Sequence, residues 1–97
     1  MIEDENNKLK YSDSPLILYP SIFSKELKII LNPFHHPLSV KLFDSRGNLV
    51  QNIFTGIVKK KKELTFNPRR KLSPGIYFIT LNTDKEKVLR KVIYLGK

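Results

Sequence analysis

The stretch Leu72-Ser73-Pro74-Gly75-Ile76-Tyr77 couples a tight turn to the start of an alternating apolar run. Pro74 fixes φ at a value that suits the first corner of a turn, and Gly75 can adopt a positive φ without a steric cost. Tyr77 then begins a strand-like run that reaches Leu81. Two interpretations are open: a plain turn before a strand, or a tie in which the Tyr77 hydroxyl bonds the backbone upstream at the corner of a β-sandwich.

Around this corner, from Pro15 onward, short apolar runs alternate with turn residues roughly every ten positions, which is typical of an all-β sandwich. No segment has a helical apolar period. The sequence therefore predicts one domain, residues 15–97, preceded by a flexible polar linker at residues 1–14. Seven strands are predicted: Leu16–Tyr19, Leu27–Leu31, Leu38–Phe43, Leu49–Phe54, Ile57–Phe66, Tyr77–Leu81 and Glu86–Leu95.

Alternation within these strands predicts which side chains face the core, because successive side chains point to opposite faces of a strand. The segment Asp44-Ser45-Arg46-Gly47-Asn48 is predicted to be a hairpin connection, with Gly47 in a left-handed conformation. The predicted core residues are Leu27, Ile29, Leu31, Leu38, Val40, Leu42, Tyr77, Ile79 and Leu81.

The chain is strongly basic, with 18 lysines and arginines, nine acidic residues and a net charge of +9. Four consecutive lysines, Lys59, Lys60, Lys61 and Lys62, fall in the predicted strand Ile57–Phe66. They cannot all share one face of a strand, so we expect an edge or bulged strand, where lysine discourages pairing with other chains.

A second interpretation of the basic residues is a patch for an anionic partner. It would combine the lysine run with the next loop, and Phe54 and Phe66 would offer stacking faces. The alternative prediction is thus a β-sandwich module that binds anionic polysaccharide or nucleic acid, with nucleic acid disfavoured because no RNP-like motif is present. The loop residues of this patch are Arg69, Arg70 and Lys71.

No constellation of catalytic residues or metal ligands is found. The chain has no cysteine, and the two histidines, His35 and His36, are adjacent between prolines, where side chains of an extended chain point apart. Paired carboxylates and glycine-rich phosphate loops are also missing. We expect a protein without catalytic activity, bound metal or cofactor.

The start of the sequence, Met1-Ile2-Glu3-Asp4-Glu5-Asn6-Asn7, is acidic and polar, unlike a signal peptide. No apolar run approaches the roughly 20 residues that span a bilayer. Two origins are therefore expected: a cytoplasmic protein, or the C-terminal piece of a longer exported chain, in which Met1 is an expression start.

Four short motifs occur in a characteristic order: Leu18-Tyr19-Pro20, Val40-x-Leu42-Phe43-Asp44-x-x-Gly47, Leu72-x-x-Gly75-Ile76-Tyr77 and Lys91-Val92-Ile93. In order, spacing and position they resemble the C-terminal sorting domain of the type IX secretion system (type A, Por secretion system family) of Bacteroidota. The resemblance covers residues 16–97. One departure is Tyr19-Pro20-Ser21-Ile22, where the family has Tyr-Pro-Asn-Pro.

The resemblance implies a seven-stranded Ig-like β-sandwich that carries no catalysis and directs an N-terminal cargo domain across the outer membrane to the cell surface. The implied partners are an outer-membrane shuttle barrel and a sortase that usually cleaves in the linker. The cargo is then either released or joined to anionic lipopolysaccharide. The implied sorting signal consists of Gly75, Tyr77, Lys91, Val92 and Ile93.

Overall fold

Eight strands form two sheets in the part of the chain described by the computed structural model, which covers residues 16–68 and 72–96. None of these residues forms a helix that is long and apolar enough to cross a membrane. The strands are β1 (Leu16–Tyr19), β2 (Ile22–Phe23), β3 (Leu27–Leu31), β4 (Leu38–Asp44), β5 (Leu49–Gly56), β6 (Lys62–Phe66), β7 (Gly75–Asn82) and β8 (Lys87–Tyr94).

The smaller sheet has the order β1-β3-β6, and the larger sheet has the order β2-β8-β7-β4-β5. All pairs are antiparallel except β2 and β8, which run parallel. Most of the larger sheet consists of two hairpins, β4–β5 and β7–β8, whose inner strands β4 and β7 pair with each other. The last strand, β8, is thereby placed between β7 and the short β2.

The core lies between the two sheets and contains side chains from both of them. The rings of Phe23 in β2 and Phe66 in β6 meet edge to face, with centroids 6.5 Å apart, which joins the larger sheet to the smaller one. Every predicted core residue is at most 7% exposed, so the period-two pattern placed these side chains correctly.

The prediction of an all-β, Ig-like sandwich is confirmed, but the count of seven strands is wrong for the described residues. The additional strand is β2, only two residues long. It follows the cis Tyr19–Pro20 peptide bond and pairs with β8, about 70 residues further along the chain. A two-residue strand with a distant partner has no periodicity of its own, so the sequence does not reveal it.

The predicted strand Ile57–Phe66 is also wrong in its first half, since β6 begins only at Lys62. Between β5 and β6 the chain crosses from the larger sheet to the smaller one, and this crossing interrupts the strand pairing. Val58 anchors the crossing, because its side chain is 3% exposed and its carbonyl accepts a 3.0 Å hydrogen bond from the Phe34 N–H. The expectation of an edge strand is confirmed for β6.

The connection between β4 and β5 is the predicted hairpin turn, with Gly47 at a φ of +89°. The Asp44 carboxylate accepts hydrogen bonds of 2.9 Å from the backbone N–H groups of Arg46 and Asn48. Bonding to the Asn48 N–H is the main cause that lowers the pKa of Asp44. The turn thus satisfies its own backbone donors with the side chain that begins it.

Candidate functional site

Tyr77, on β7 of the larger sheet, is hydrogen-bonded to the turn that precedes this strand. Its hydroxyl donates a 2.6 Å hydrogen bond to the carbonyl oxygen of Ser73, and the residue is only 7% exposed. Burial, followed by the charges of Asp44 and Tyr94, raises the pKa of Tyr77 above its ordinary value. Of the two interpretations left open by the sequence, the tie is confirmed and the plain turn is excluded.

Gly75 starts β7 at a φ of +152°, a backbone conformation that side-chain-bearing residues rarely adopt. A Cβ added at this position would meet nothing within 4 Å. Glycine is therefore needed here for the backbone angle rather than for space. The two residues predicted from the corner have distinct structural roles: Gly75 permits the turn, and Tyr77 anchors it.

All five residues of the predicted sorting signal lie on one stretch of the β7–β8 ladder. Gly75 pairs with Tyr94, and Tyr77 pairs with Val92. Lys91 and Ile93 lie on either side of Val92, opposite Phe78 and Ile76. Residues that are about 15 positions apart in sequence thus lie side by side on neighbouring strands.

The three residues predicted from β8 differ in what they present to the solvent. Val92 points into the core and is 1% exposed, whereas Lys91 is exposed and Ile93 is half-buried on the opposite face. Val92 therefore packs against the anchored tyrosine, and only Lys91 and Ile93 are accessible to a partner.

One edge of β8 is only partly covered. The N–H groups of Ile93 and Leu95 donate 2.8 Å hydrogen bonds to the carbonyls of Ser21 and Phe23 around β2. Alternate residues of a strand point their main-chain groups to the same side, so those of Leu89 and Lys91 face the same way. Among the described residues, no strand pairs with that side of β8 before Ile93.

The second predicted site, the lysine run, forms a basic surface beside a shallow cavity of about 390 Å³. Phe54, Ile57 and Val58 line this cavity together with all four lysines, Lys59–Lys62. The Lys62 Nζ lies 5.7 Å from the centre of the Phe54 ring, in reach of a cation–π interaction. All four lysines are exposed.

The structure changes the aromatic part of this predicted patch. Phe66 is a core residue, 5% exposed and packed on Phe23, so its expected role as a stacking face is wrong. Phe54 is half-buried, and Lys62 already lies over its ring. The remaining predicted members, Arg69, Arg70 and Lys71, lie outside the described residues, as does the predicted linker 1–14.

Within the described ranges, no group of three or more histidine, cysteine or acidic side chains is arranged to hold a metal ion. Both histidines are exposed in the connection between β3 and β4, and the His36 ring meets Phe34 with centroids 5.8 Å apart. The predicted signal residues of β7 and β8 thus form the candidate site, on the β7–β8 hairpin.

Residues 17–95 match the family described as "Secretion system C-terminal sorting domain". The matched range begins one residue inside β1 and ends one residue after β8, so it includes all eight strands except the first residue of β1. A search of curated proteins finds no match to this chain.

Proposed function

Because the chain belongs to the family of secretion system C-terminal sorting domains, we propose that it directs a cargo protein through the type IX secretion system, across the outer membrane, to the cell surface. Family membership identifies the chain as a sorting signal for secretion. The match over residues 17–95 is the single observation that carries the proposal. The route follows from the resemblance to type IX sorting domains, and the surface that is read follows from the geometry of β8.

The surface that the machinery reads is the exposed part of β8. Its uncovered edge offers the main-chain groups of Leu89 and Lys91 to an added strand, a mode in which backbone hydrogen bonds supply affinity and side chains supply specificity. The Leu89 carbonyl now accepts a 3.2 Å hydrogen bond from the exposed Arg90 side chain, which an incoming strand would replace. Lys91 adds a positive charge beside this edge.

The corner residues act on this surface indirectly. Tyr77 pairs with Val92 and is bonded to Ser73, so it fixes where β8 lies relative to the rest of the sandwich. In this proposal Gly75 and Tyr77 keep the shape of the signal, and Lys91 and Ile93 are contacted.

Transport through the type IX system requires three partners of this domain. An outer-membrane shuttle barrel of the secretion system binds the domain, and a sortase cleaves before it, within the predicted linker 1–14. The cargo is a protein domain on the N-terminal side. The domain itself performs no chemistry, in keeping with its family.

The proposal is tested by fusing the chain to a fluorescent reporter with a signal peptide, in a bacterium that has a type IX system. The intact fusion should reach the cell surface, and deletion of residues 88–97 should leave it in the periplasm. Surface delivery of the truncated fusion would show that β8 is not part of the signal.

A sharper variant separates strand addition from loss of the fold. In Leu89→Pro the lost N–H faces the uncovered edge, where proline is tolerated, so the β7–β8 ladder should survive. We expect this purified variant to unfold cooperatively at a urea midpoint close to that of the unmodified chain, and the corresponding fusion to remain in the periplasm. Normal surface delivery of a folded Leu89→Pro fusion would exclude strand addition along this edge.

A second proposal concerns the lysine run, which the sorting surface does not use. Four exposed lysines beside a cavity favour contact with a polyanion, and lipopolysaccharide is the polyanion at the destination of the cargo. Binding of the purified chain to anionic lipopolysaccharide should weaken with rising salt and with glutamine at Lys59–Lys62. Equal binding by the glutamine variant would exclude this site.

A further inference from the structure

The outer face of the larger sheet, which points away from the core, carries an unusual amount of apolar surface. Four of the seven large hydrophobic residues that are exposed in the described ranges lie on it, each 42–56% exposed. Strand pairing places them on one face, because directly paired residues point their side chains to the same side. These four residues are Ile22, Leu49, Ile76 and Leu89.

On this face, a shallow cavity of about 420 Å³ lies beside the β4–β5 turn. Its floor is apolar, since Phe43 of β4 pairs with Phe78 of β7, and Leu89 of β8 borders the floor. Leu89 pairs with Thr80, which also lines the cavity yet is only 3% exposed. Neighbouring side chains on the sheet therefore cover Thr80 and form the sides of the recess. We call it the outer-face cavity.

The rim of the outer-face cavity is basic. Arg46 and Lys87 both line it, and neither forms a close ion pair within the described part of the chain, although the charge of Arg46 contributes to the lowered pKa of Asp44. Lys91 lies next to it, opposite Phe78 in the ladder. The only carboxylate on the lining, Asp44, already accepts hydrogen bonds from the backbone of its own turn.

An apolar recess whose rim carries two cations without a close ion pair resembles a protein-binding hot spot, in which an apolar anchor fills a pocket and the charges around it select the partner. The geometry points to this cavity as a docking site for a protein segment that presents one apolar side chain flanked by carboxylates. The apolar side chain lies on Phe43 and Phe78, and the carboxylates pair with Arg46 and Lys87. This site uses side chains on the sheet face, so it does not depend on strand addition along β8.

Two other occupants fit less well. A second copy of the chain would bring the same basic rim against itself, which is repulsive in a symmetric contact. An anionic membrane would match the charge, but a flat bilayer surface cannot fill a recess framed by the Asp44–Asn48 turn. A protein side chain fills it, and charge complementarity requires that its neighbours be acidic.

The test is a titration of the ¹⁵N-labelled chain with a short peptide that has one leucine flanked on each side by two glutamates, followed by two-dimensional NMR. We expect saturable shifts of the backbone signals of Arg46, Gly47, Phe78 and Leu89. A matched peptide with glutamines in place of the glutamates should bind at least about tenfold more weakly.

Variants locate the site. Arg46→Glu combined with Lys87→Glu should weaken binding at least about tenfold, and each single substitution should contribute. Lys25→Glu, which changes the net charge as much as either single substitution but does not line the cavity, should not weaken binding. Leu89→Asn, at an exposed position, should weaken binding through the apolar anchor alone.

Other outcomes would overturn the proposal. These are the absence of saturable shifts, shifts confined to Lys59–Lys62, or a weakening by Lys25→Glu equal to that by Arg46→Glu. A concentration-dependent dimer that is lost in Arg46→Glu, seen by sedimentation, would assign the face to a second copy. Phosphatidylglycerol vesicles that displace the peptide and shift the same signals would assign it to a membrane.

Discussion

Tyr77 of β7 lies directly opposite Val92 of β8, so the anchored corner and the last strand meet at one pair of buried side chains. The hydroxyl of the same tyrosine donates a 2.6 Å hydrogen bond to the carbonyl oxygen of Ser73. One side chain therefore connects the turn before β7, the core and the strand that we propose the secretion machinery reads.

The hydroxyl of Tyr77 should contribute to stability. Tyr77→Phe removes the bond to Ser73 and leaves that carbonyl without this donor, so we expect the free energy of unfolding to fall by about 1 kcal/mol. Tyr77→Ala also opens a cavity and should cost about 3–5 kcal/mol. Urea unfolding measures both values, and Tyr94→Phe is the matched control. A cost below about 1 kcal/mol for Tyr77→Ala would show that the ring does not support the core.

The same residue predicts a loss of stability at alkaline pH. Burial raises the pKa of Tyr77 in the folded protein above the value of 10.0 that applies to an unperturbed tyrosine. The folded state therefore retains the Tyr77 proton to a higher pH than the unfolded state does. The contribution of this hydroxyl to the free energy of unfolding is fully present below pH 10.0 and is lost as the pH rises through the folded pKa.

Comparison with Tyr77→Phe isolates this effect, because lysines titrate in the same range. Urea midpoints measured between about pH 8 and 11 should decrease more steeply for the unmodified chain than for the phenylalanine variant. Parallel curves would mean that the Tyr77 hydroxyl titrates equally in the folded and unfolded states.

The turn should depend on glycine at position 75. Gly75→Ala forces a side chain into a φ of +152°, and we expect a loss of about 1–3 kcal/mol in the free energy of unfolding. Ser73→Ala, two residues earlier, is the control, since its carbonyl still accepts the Tyr77 bond and its own side chain is exposed. Equal stability of Gly75→Ala and Ser73→Ala would contradict the assigned backbone requirement.

Neighbouring residues of β8 should separate packing from recognition. Val92→Ala removes buried methyl groups and should cost about 2 kcal/mol, whereas Lys91→Ala, at an exposed position, should change stability by less than about 0.5 kcal/mol. Thermal or urea unfolding of the two purified variants measures the difference. A destabilisation by Lys91→Ala as large as that of Val92→Ala would show that the lysine has a structural role.

Much of the sandwich follows from local patterns in the sequence. Leu27, Ile29 and Leu31 share one face of a strand by their period of two, and the structure buries each of them completely. The Asp44–Asn48 turn has a glycine where the backbone needs a positive φ. Both features depend on a few adjacent residues, and such short-range patterns determine local structure reliably.

The parts that the sequence did not reveal depend on contacts between distant segments. Strand β2 exists because Ile22 and Phe23 pair with β8, and no local period marks two residues. The lysines at 59–61 lie outside a strand because the chain changes sheets at Val58. The sequence predicts Phe66 as an exposed stacking face, but its ring packs on Phe23 across the core.

The candidate site combines both cases. The corner residues Gly75 and Tyr77 were predicted from a turn motif, and the β8 residues from a family resemblance. The strand period of two predicts that Val92 points into the core and Lys91 points outward. The uncovered edge of β8 before Ile93 could not be predicted without the order of the strands, because it depends on where the short β2 pairs with β8.

The central claim, that the secretion machinery reads the exposed surface of β8, is tested most directly by the fraction of a reporter fusion that reaches the cell surface in Lys91→Glu. Lys25→Glu, another exposed lysine outside the β7–β8 hairpin, is the matched control. We predict that the Lys91→Glu fusion accumulates in the periplasm with its domain folded, while the Lys25→Glu fusion reaches the surface normally. Equal surface delivery of the two fusions would contradict the claim.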